Sequence, residues 1–439
     1  MTISTSAIET AAVDGIGAQL HDTIAELYPI CRSITGNGVR DTLGRLQRRL
    51  PELAIHEVKS GTPAFDWTVP REWNLRAATL RGPDGAVIVD AARSPLHVVG
   101  YSMPTRARLS LDELQPHLHS LPEHPEWTPY RTSYWKESWG FCLPHRVRER
   151  LAPGEYAVEI DATLADGNLT YGECFLPGAS AREVLLSCHV CHPALANDNL
   201  SGIAVATFLA EALAAMPRRL GVRILFVPGT IGAITWLARN EDRLGNVAHG
   251  LVMANLGDRG GFHYKQSQRG TATIDRAVPK ALADLREPVE VEPFVPFGYD
   301  ERQYGSPGFD LPVGSLTRTP WGRYPEYHTS ADDLELVTAP ALAGALRAYA
   351  AVLALLERNR TYRNLAPKGE PQLGRRGLYR SLGGETGGRE RELALLWVLN
   401  QSDGEHDLLA IAERAGMPFA AIADAADALV AAELLAAVD

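Results

Sequence analysis

The sequence predicts an α/β protein with a mostly parallel, doubly wound sheet, a β-rich insertion and a C-terminal winged-helix-like domain. After residue 178, apolar runs at 184–187, 223–227 and 250–256 alternate with helical spacing at 202–214 and 231–240. Such alternation places helices on both faces of a parallel sheet, and sites form beyond the carboxyl ends of its strands. We therefore expect the functional residues in the loops that follow these strands.

The domain boundaries follow from changes of texture along the 439-residue chain, which is long enough for two or three domains. Helical spacing at 8–30 and 41–50 opens the chain, and short β-type runs with many prolines and aromatics follow. A glycine-rich linker after Arg363 precedes three helical patterns. These features predict a main domain of 1–64 and 179–362, an inserted β-rich domain of 65–178 and a winged-helix-like domain of 373–439.

The composition is that of an ordinary globular protein, with 45% hydrophobic and 22% charged residues and a formal net charge of −10. An acidic chain is poorly suited to broad contact with nucleic acid or an anionic membrane. From residue 390 onward there are ten Asp or Glu residues and two Arg, so the phosphate contacts of a DNA reader are missing. We expect a protein that binds a small-molecule substrate and neither nucleic acid nor a membrane.

The location and assembly predictions rest on weaker patterns. The first five residues contain no basic segment followed by an apolar core, and the five cysteines are scattered, which fits a reducing compartment. These features predict a cytoplasmic protein. The apolar helices and the β-rich insertion allow a homo-oligomer without requiring one.

Two separated motifs carry side chains of the types that commonly bind zinc. The apolar run at 184–187 leads to His189 and His192, and Asp198 follows in a polar turn ahead of an apolar helix. Far downstream, the run Tyr327-His328-Thr329 supplies another histidine from a loop. Neutral imidazoles and carboxylates are the usual nitrogen and oxygen ligands of zinc. We therefore predict a zinc centre that contains His189, Asp198 and His328.

These motifs resemble the zinc-dependent aminopeptidase family with two co-catalytic metals, and specifically its bacterial aminopeptidase-like branch. The resemblance covers nearly the whole chain, and it implies a sheet of the zinc aminopeptidase type with a β-rich insertion and a winged-helix C-terminus. It also implies that Asp198 bridges the metals, that Asp258 is a later carboxylate ligand and that His328 is the last ligand. His189 stands at the strand end, but His192 is the alternative ligand, or both histidines bind.

The chain departs from this family after the strand at 223–227. The family carries two glutamates there, a general base and a metal ligand, whereas this chain has Gly229 and Thr230. Loss of a general base removes a factor of about 10²–10⁴ in rate. Loss of the ligand favours one zinc ion over two.

The sequence therefore predicts a zinc enzyme that acts on a small amino-acid-derived or amide substrate. Hydrolysis is altered, or it is replaced by metal-assisted condensation, cyclisation or acyl transfer. The alternative is a catalytically silent homologue that binds a metal or a ligand and acts through partner contacts.

Two carboxylates are candidates for the missing base, Glu301 and Glu326, although each also fits a salt bridge or a solvated loop. The candidates for substrate binding lie in a glycine-bearing loop, an aromatic segment, a basic loop and the stretch 300–304, in which the chain resembles the aminopeptidase-like branch. They are Arg32, Tyr134, Lys265, Arg269 and Tyr304. Their alternative roles are a helix–helix turn, an aromatic core and an exposed hairpin.

Overall fold

The computed structural model describes residues 15–378 and 388–438, so residues 8–14 of the predicted first helix and glycines 383, 384 and 387 of the linker lie outside the described residues. The first part of the described chain contains, in order, α1 (Ile16–Leu27), α2 (Asn37–Arg49), β1 (Leu53–Lys59), β2 (Pro63–Ala64), β3 (Trp67–Thr68), β4 (Glu72–Arg81), β5 (Val87–Asp90), β6 (Thr105–Ser110), α3 (Leu111–Leu114), β7 (Leu118–His119), β8 (Phe141–Cys142), α4 (His145–Arg148), β9 (Glu155–Ala165) and β10 (Asn168–Leu176).

The middle part contains the alternating strands and helices that the sequence predicts. In order they are β11 (Glu183–His189), α5 (Gly202–Ala214), β12 (Gly221–Val227), α6 (Ile231–Arg239), β13 (Val247–Met253), β14 (Phe262–Lys265), α7 (Thr273–Asp284), β15 (Val289–Glu292), α8 (Glu301–Tyr304), β16 (Val313–Thr317) and α9 (Ala339–Arg358). The last part contains β17 (Thr361–Asn364), α10 (Gly388–Gln401), β18 (Asp403–Asp407), α11 (Leu408–Ala415), α12 (Phe419–Ala431) and β19 (Leu435–Ala437).

A mixed eight-stranded sheet organises the molecule, in the order β1-β10-β12-β11-β13-β16-β14-β15. Its centre, β12-β11-β13-β16, is parallel, whereas β1, β10 and the β14–β16 pairing are antiparallel. Every residue of β11 is buried, which is why this strand reads as an apolar run without alternation. The strand β10 pairs in this sheet, although the predicted insertion extended to residue 178.

The two faces of this sheet bury different partners. One face packs against α1, α2, α5, α7 and α9, and the same apolar core continues into the helices after β17. The other face packs against α6 and against a four-stranded antiparallel sheet, β5-β4-β9-β6, of the insertion. The insertion therefore rests on the sheet rather than standing apart from it.

The helix α9 closes the main domain. The Thr338 side chain accepts a hydrogen bond from the Ala341 N–H and begins the helix, and Arg358 ends it. Among the described residues this is the one helix long and apolar enough to span a membrane, and 67% of its most apolar stretch is buried inside the fold. That burial accounts for its apolar sequence.

Acidic residues of the C-terminal part form ion pairs with helices of the main domain, in addition to the shared apolar core. Arg276 of α7 pairs with Glu413 at 2.6 Å, and Arg358 of α9 pairs with Asp424 at 2.7 Å and Asp427 at 2.8 Å. The three-stranded sheet β18-β17-β19 lies with the helices α10, α11 and α12. Part of the acidic charge that the sequence concentrates after residue 390 is therefore used in contacts within the chain.

Candidate metal centre

Three chain segments meet beyond the carboxyl end of β11. His189 is the last residue of that strand, and His192 lies in the loop that follows. The segment Ala196–Ser201 leads directly into α5 and carries Asp198, whose backbone is not helical. His328 comes from the long connection between β16 and α9. This is the edge of the sheet at which α/β proteins form their sites.

Three imidazoles converge on the Asp198 carboxylate. His189 Nε2 lies 2.7 Å from Asp198 Oδ1, and His192 Nδ1 lies 3.0 Å from Asp198 Oδ2. His328 Nε2 also lies 3.0 Å from Asp198 Oδ2. The donor atoms of His189, His192 and Asp198 all lie within 4.8 Å of one another. The structure thus brings His328 to the same carboxylate and places both sequence alternatives, His189 and His192, beside it.

The charges of this cluster depend on one another. Burial by itself raises the pKa of Asp198, but His192 and His189 hold that pKa well below its usual range. Burial lowers the pKa values of His189 and His328, so their rings favour the neutral form that binds metals. Burial also acts on His192, but the contacts with Asp198 outweigh it and raise the pKa of that ring.

The donor set fits a metal ion. Asp198 Oδ2 and His328 Nε2 are both buried, and neither has a partner with hydrogen-bond geometry despite their 3.0 Å separation. Unpaired polar atoms in the interior are costly, and most are satisfied in native structures. A cation among these atoms would satisfy both, and imidazole nitrogen with carboxylate oxygen is the donor chemistry of zinc.

A second layer of contacts holds Asp198 and the histidines in place. Asp332 accepts hydrogen bonds from the backbone N–H groups of Asn197 at 2.5 Å and Asp198 at 3.0 Å. The Tyr299 hydroxyl donates to Asp198 Oδ1 at 2.9 Å, and its ring stacks on His189 with centroids 4.4 Å apart. Such outer contacts orient metal ligands. Asp332 stands four residues after His328, so its place in the downstream motif was the signal for it.

Two further residues from distant segments support the histidines. The Arg32 Nε donates to the His192 carbonyl at 2.8 Å, and the Tyr130 N–H donates to the His328 carbonyl at 2.7 Å. Arg32 is buried, so it positions the His192 loop from behind. Tyr130 belongs to the insertion, and no local sequence signal connects it with His328.

A cavity of about 400 Å³ opens next to this cluster. Its lining includes His189, His192 and Gly229, and it also includes three aromatic residues, Trp67, Tyr134 and Trp135, which we call the aromatic wall. Of the two tryptophans, Trp67 is 46% exposed and Trp135 is 54% exposed. Tyr134, a predicted substrate-binding residue, therefore lies at the cavity, where its hydroxyl is 2.8 Å from that of Tyr130.

Arg302 also lines the cavity, although it was not among the residues predicted from the sequence. Its Nε is buried without a hydrogen-bond partner, and none of the described ion pairs includes it. It follows Glu301 directly, so its proximity to a predicted site residue was the available signal.

Asp258 lies outside the cluster. Its Oδ1 accepts from the Thr319 hydroxyl at 2.6 Å and the Gly260 N–H at 2.7 Å, and its Oδ2 accepts from Asn197 Nδ2 at 3.0 Å. With both oxygens taken by protein donors, the carboxylate holds a loop rather than joining the three imidazoles. The predicted metal ligand Asp258 is therefore corrected to a structural residue that positions the side chain of Asn197.

Neither carboxylate predicted as a base lies in the cluster. Glu301 is buried, and its Oε1 pairs with Lys265 Nζ at 2.7 Å in a neighbouring cavity. The described hydrogen bonds of Glu326 belong to its backbone carbonyl, which accepts from the Thr329 N–H and hydroxyl. The pairing also corrects Lys265, whose ammonium group is used within the chain.

The remaining substrate-binding predictions fall elsewhere. Arg269 pairs with Asp310 at 3.0 Å on the surface. Tyr304 is fully buried, and its hydroxyl lies 2.8 Å from that of Ser187 inside the core. Arg269 and Tyr304 are thus corrected to a surface pair and a core residue, because the partners that decide their roles are distant in sequence.

Two known families match this chain, one in its main part and one in its C-terminal part. A family described as a domain of unknown function (DUF4910) matches residues 21–359, and a winged helix-turn-helix family matches residues 360–437. The chain belongs to the DUF4910 family. The second match confirms the predicted winged-helix character of the C-terminal part.

A relative of this DUF4910 protein comes from Clostridium acetobutylicum and is named for polysaccharide biosynthesis with an aminopeptidase-like domain. It is 49% identical over 419 residues, which cover 95% of this chain and 96% of the relative. A crystal structure from the same organism, described as a candidate peptidase, has a TM-score of 0.93 at 46% identity and covers 99% of this chain and 100% of that chain.

The DUF4910 fold extends to zinc aminopeptidases. BSAP, a zinc aminopeptidase from Bacillus subtilis, has a TM-score of 0.57 at 12% identity, covering 77% of this chain and 94% of that chain. At this identity the likeness shows the fold alone. It confirms the predicted α/β sheet of the zinc aminopeptidase type.

Proposed function

We propose that this protein is a zinc-dependent enzyme that acts on an amide bond of a small substrate. The observation that carries the proposal is the convergence of His189, His192 and His328 on Asp198, with buried atoms left unpaired. Bound zinc would act there as a Lewis acid that polarises a carbonyl oxygen. The zinc aminopeptidase fold of the chain supports the same chemistry.

One zinc ion per chain fits the donor set better than two. Thr230 stands where the resemblance to zinc aminopeptidases implies a glutamate ligand. Asp258, the other carboxylate that this resemblance implies as a ligand, accepts hydrogen bonds from Thr319, Gly260 and Asn197 instead. Within the described residues, Asp198 is thus the one carboxylate in contact with all three histidines.

The cavity favours a substrate that has both a ring and an anionic group. The aromatic wall of Trp67, Tyr134 and Trp135 offers flat faces, and the unpaired Arg302 offers a guanidinium to a carboxylate or phosphate. The name of the C. acetobutylicum relative points to polysaccharide biosynthesis. We therefore propose an acidic, N-acylated or aminoacylated sugar as the substrate class.

Metal content tests the centre itself. Elemental analysis of the purified protein should find about one zinc per chain, and His328→Ala should lower that occupancy. His263→Ala is a matched control, because His263 lies at another candidate group with Glu290 and Glu292. Wild-type protein without zinc, and unable to take it up, would exclude the proposal.

Amine release tests the reaction. The probes are N-acetylated amino sugars, amino-acid amides and aminoacyl p-nitroanilides. Each neutral probe is compared with a derivative of it that carries a carboxylate. We expect turnover of an acidic sugar amide that falls by 10-fold or more in Arg302→Gln but not in Arg269→Gln. Turnover that is equal in these two variants would contradict the substrate class.

A catalytically silent protein that binds a metal or a ligand is the second candidate. Gly229 favours it, because the general-base glutamate of the zinc aminopeptidases is missing at that position. This candidate predicts zinc occupancy and probe binding by calorimetry without release of amine from any probe.

A further inference from the structure

Asp300 is a buried carboxyl group for which the fold supplies no partner. It is 1% exposed, and neither Oδ1 nor Oδ2 has a hydrogen-bond partner. It stands immediately before α8, yet its side chain does not cap that helix. None of the ion pairs among the described residues includes it. Burying an unpaired carboxyl group is costly, so a purely structural role does not account for Asp300.

The neighbouring acid in the sequence behaves differently. Glu301 is also buried, but Lys265 Nζ lies 2.7 Å from its Oε1 and balances its charge. The fold therefore has a cation available for one of two adjacent acids and leaves the other unpaired.

The unpaired carboxyl group faces the position where a side chain is missing. A Cβ atom built on Gly229 would lie 3.8 Å from Asp300 Oδ1 and 3.3 Å from His189 Cβ. A longer side chain at position 229 would therefore start between the metal-binding histidine and Asp300. Gly229 also lines the cavity, together with His189 and the residues on either side of Asp300 and Glu301, Tyr299 and Arg302.

We propose that Asp300 is the proton acceptor of this enzyme. From its position just before α8 it reaches the place that the general-base glutamate of the zinc aminopeptidases would reach from position 229. This inference rests on the proposed amide chemistry. Gly229 has a consequence in this arrangement, because a larger residue there would separate the Asp300 carboxyl group from the His189 side of the cavity.

The proton balance of the step is simple. Ionised Asp300 takes a proton from the attacking water or amine as the new bond to the amide carbon forms. The same proton then passes from Asp300 to the amide nitrogen as the carbon–nitrogen bond breaks. With water as the nucleophile the products are a carboxylic acid and an amine, and Asp300 returns to its ionised form.

The surroundings of Asp300 suit this exchange. Burial and then the charge of Glu301 raise the pKa of Asp300 to about 8, and Arg302 opposes the shift. The other titratable groups that face it are the Cys188 and Cys191 thiols, whose pKa values are raised by burial above all, and the Tyr304 hydroxyl. A carboxyl group in this range both gains and loses a proton near neutral pH.

A carboxyl swap tests the catalytic role. Asp300→Asn should lower turnover of the responsive probe by about 10²–10⁴-fold, which is the usual contribution of a general base. Adding Gly229→Glu to Asp300→Asn should recover at least 10-fold, because it supplies a carboxylate from the other side of the same space. Gly229→Ala in the same background is the matched control and should recover nothing. Full activity in Asp300→Asn, or an equal loss in Glu326→Gln, would overturn the proposal.

Infrared spectroscopy provides a readout without turnover. Between pH 6 and 9, the wild-type protein should show the carbonyl band of a buried protonated carboxyl group that disappears as the pH rises. Buried Asp332, whose pKa is also raised to about 8, chiefly by burial, contributes to the same band. The Asp300 component is therefore the part of the band that is lost in Asp300→Asn and retained in Asp242→Asn, a surface control. A band that is the same in wild type and Asp300→Asn would overturn the proposal even if no probe is turned over. A protein without zinc that still loses part of the band in Asp300→Asn would instead refute the metal centre alone. The role of Asp300 would then be decided by the Asp300→Asn and Gly229→Glu variants.

Discussion

The carboxyl groups of Asp258 and Asp300 are similarly buried but differ in their hydrogen bonding. Both carboxylates are buried, at 4% and 1% exposure, and both lie in loops near the carboxyl edge of the sheet. Asp258 receives hydrogen bonds from Thr319, Gly260 and Asn197, whereas Asp300 receives none. The first group completes a loop, and we propose that the second exchanges a proton.

We infer from this difference that hydrogen-bond saturation, rather than burial, separates structural acids from candidate functional acids. The Asp198 carboxylate falls between the two. Its Oδ1 accepts from Tyr299 and lies beside His189, while its Oδ2 lacks any partner with hydrogen-bond geometry. A carboxylate with an unpaired oxygen among three imidazoles is a donor set that suits zinc.

Of the substitutions that test this comparison, Asp198→Asn should have the largest effect, which is on the affinity for zinc. Loss of an outer-shell partner costs about 10–100-fold in metal affinity, so loss of this central ligand should weaken zinc binding by more than about 100-fold. Calorimetric titration with zinc measures the change. Asp258→Asn is the control and should bind zinc as the wild type does. A comparable loss in both variants would mean that Asp258 is a ligand after all.

Asp258→Ala should destabilise the fold without removing the metal. It leaves Asn197 Nδ2, the Gly260 N–H and the Thr319 hydroxyl without their acceptor, and unpaired buried donors cost about 1–3 kcal/mol each before relaxation. We expect a loss of about 2–4 kcal/mol in the free energy of unfolding, measured by urea denaturation. A loss below about 0.5 kcal/mol would contradict the structural role of Asp258.

Asp300→Asn should change how stability depends on pH. The pKa of Asp300 is raised from 3.8 to about 8 in the folded state, so the folded protein holds this proton more tightly than the unfolded chain. Its contribution to stability is therefore full below about pH 4 and is lost as the pH rises through about 8, by at most about 1.4 kcal/mol per pH unit.

The amide variant removes that dependence. The difference in unfolding free energy between Asp300→Asn and wild type should shift in favour of the variant from pH 5.5 to pH 8 and then level off. Urea denaturation at several pH values measures it, with Asp242→Asn as the exposed control. A difference that is constant across this range would contradict a raised pKa for Asp300.

Arg269→Gln should have the smallest effect. The Arg269–Asp310 pair is exposed, with about half of each side chain accessible, and such pairs contribute about 0–1 kcal/mol. We expect unchanged zinc binding and a change in stability of about 0.5 kcal/mol or less, measured by urea denaturation. A loss of zinc would show that this basic loop belongs to the site.

Much of the fold was predictable because its signals are local. The buried run of β11, the alternation that follows and the acidic helical C-terminus can each be read within a short window. The boundary at residue 178 was less readable, because β10 joins the main sheet through pairing with β1 and β12, which lie far away along the chain.

The candidate site divides in the same way. His189, His192, Asp198 and His328 stand in recognisable motifs, and the structure brings all four together. Glu301 and Lys265 looked equally suitable for chemistry, but each is neutralised by the other. Such pairing depends on distances between separate elements, which a motif does not record.

The sequence by itself determined the alternating α/β architecture, the zinc-type donor residues and the absence of a glutamate at Gly229, because each is a property of a short stretch of chain. Only the tertiary structure decided that Asp258 is saturated, that Asp300 is unpaired beside Gly229, and that Arg302 faces an aromatic cavity. The physical reason is that the chemistry of a buried group depends on its partners, and folding brings those partners from distant parts of the chain.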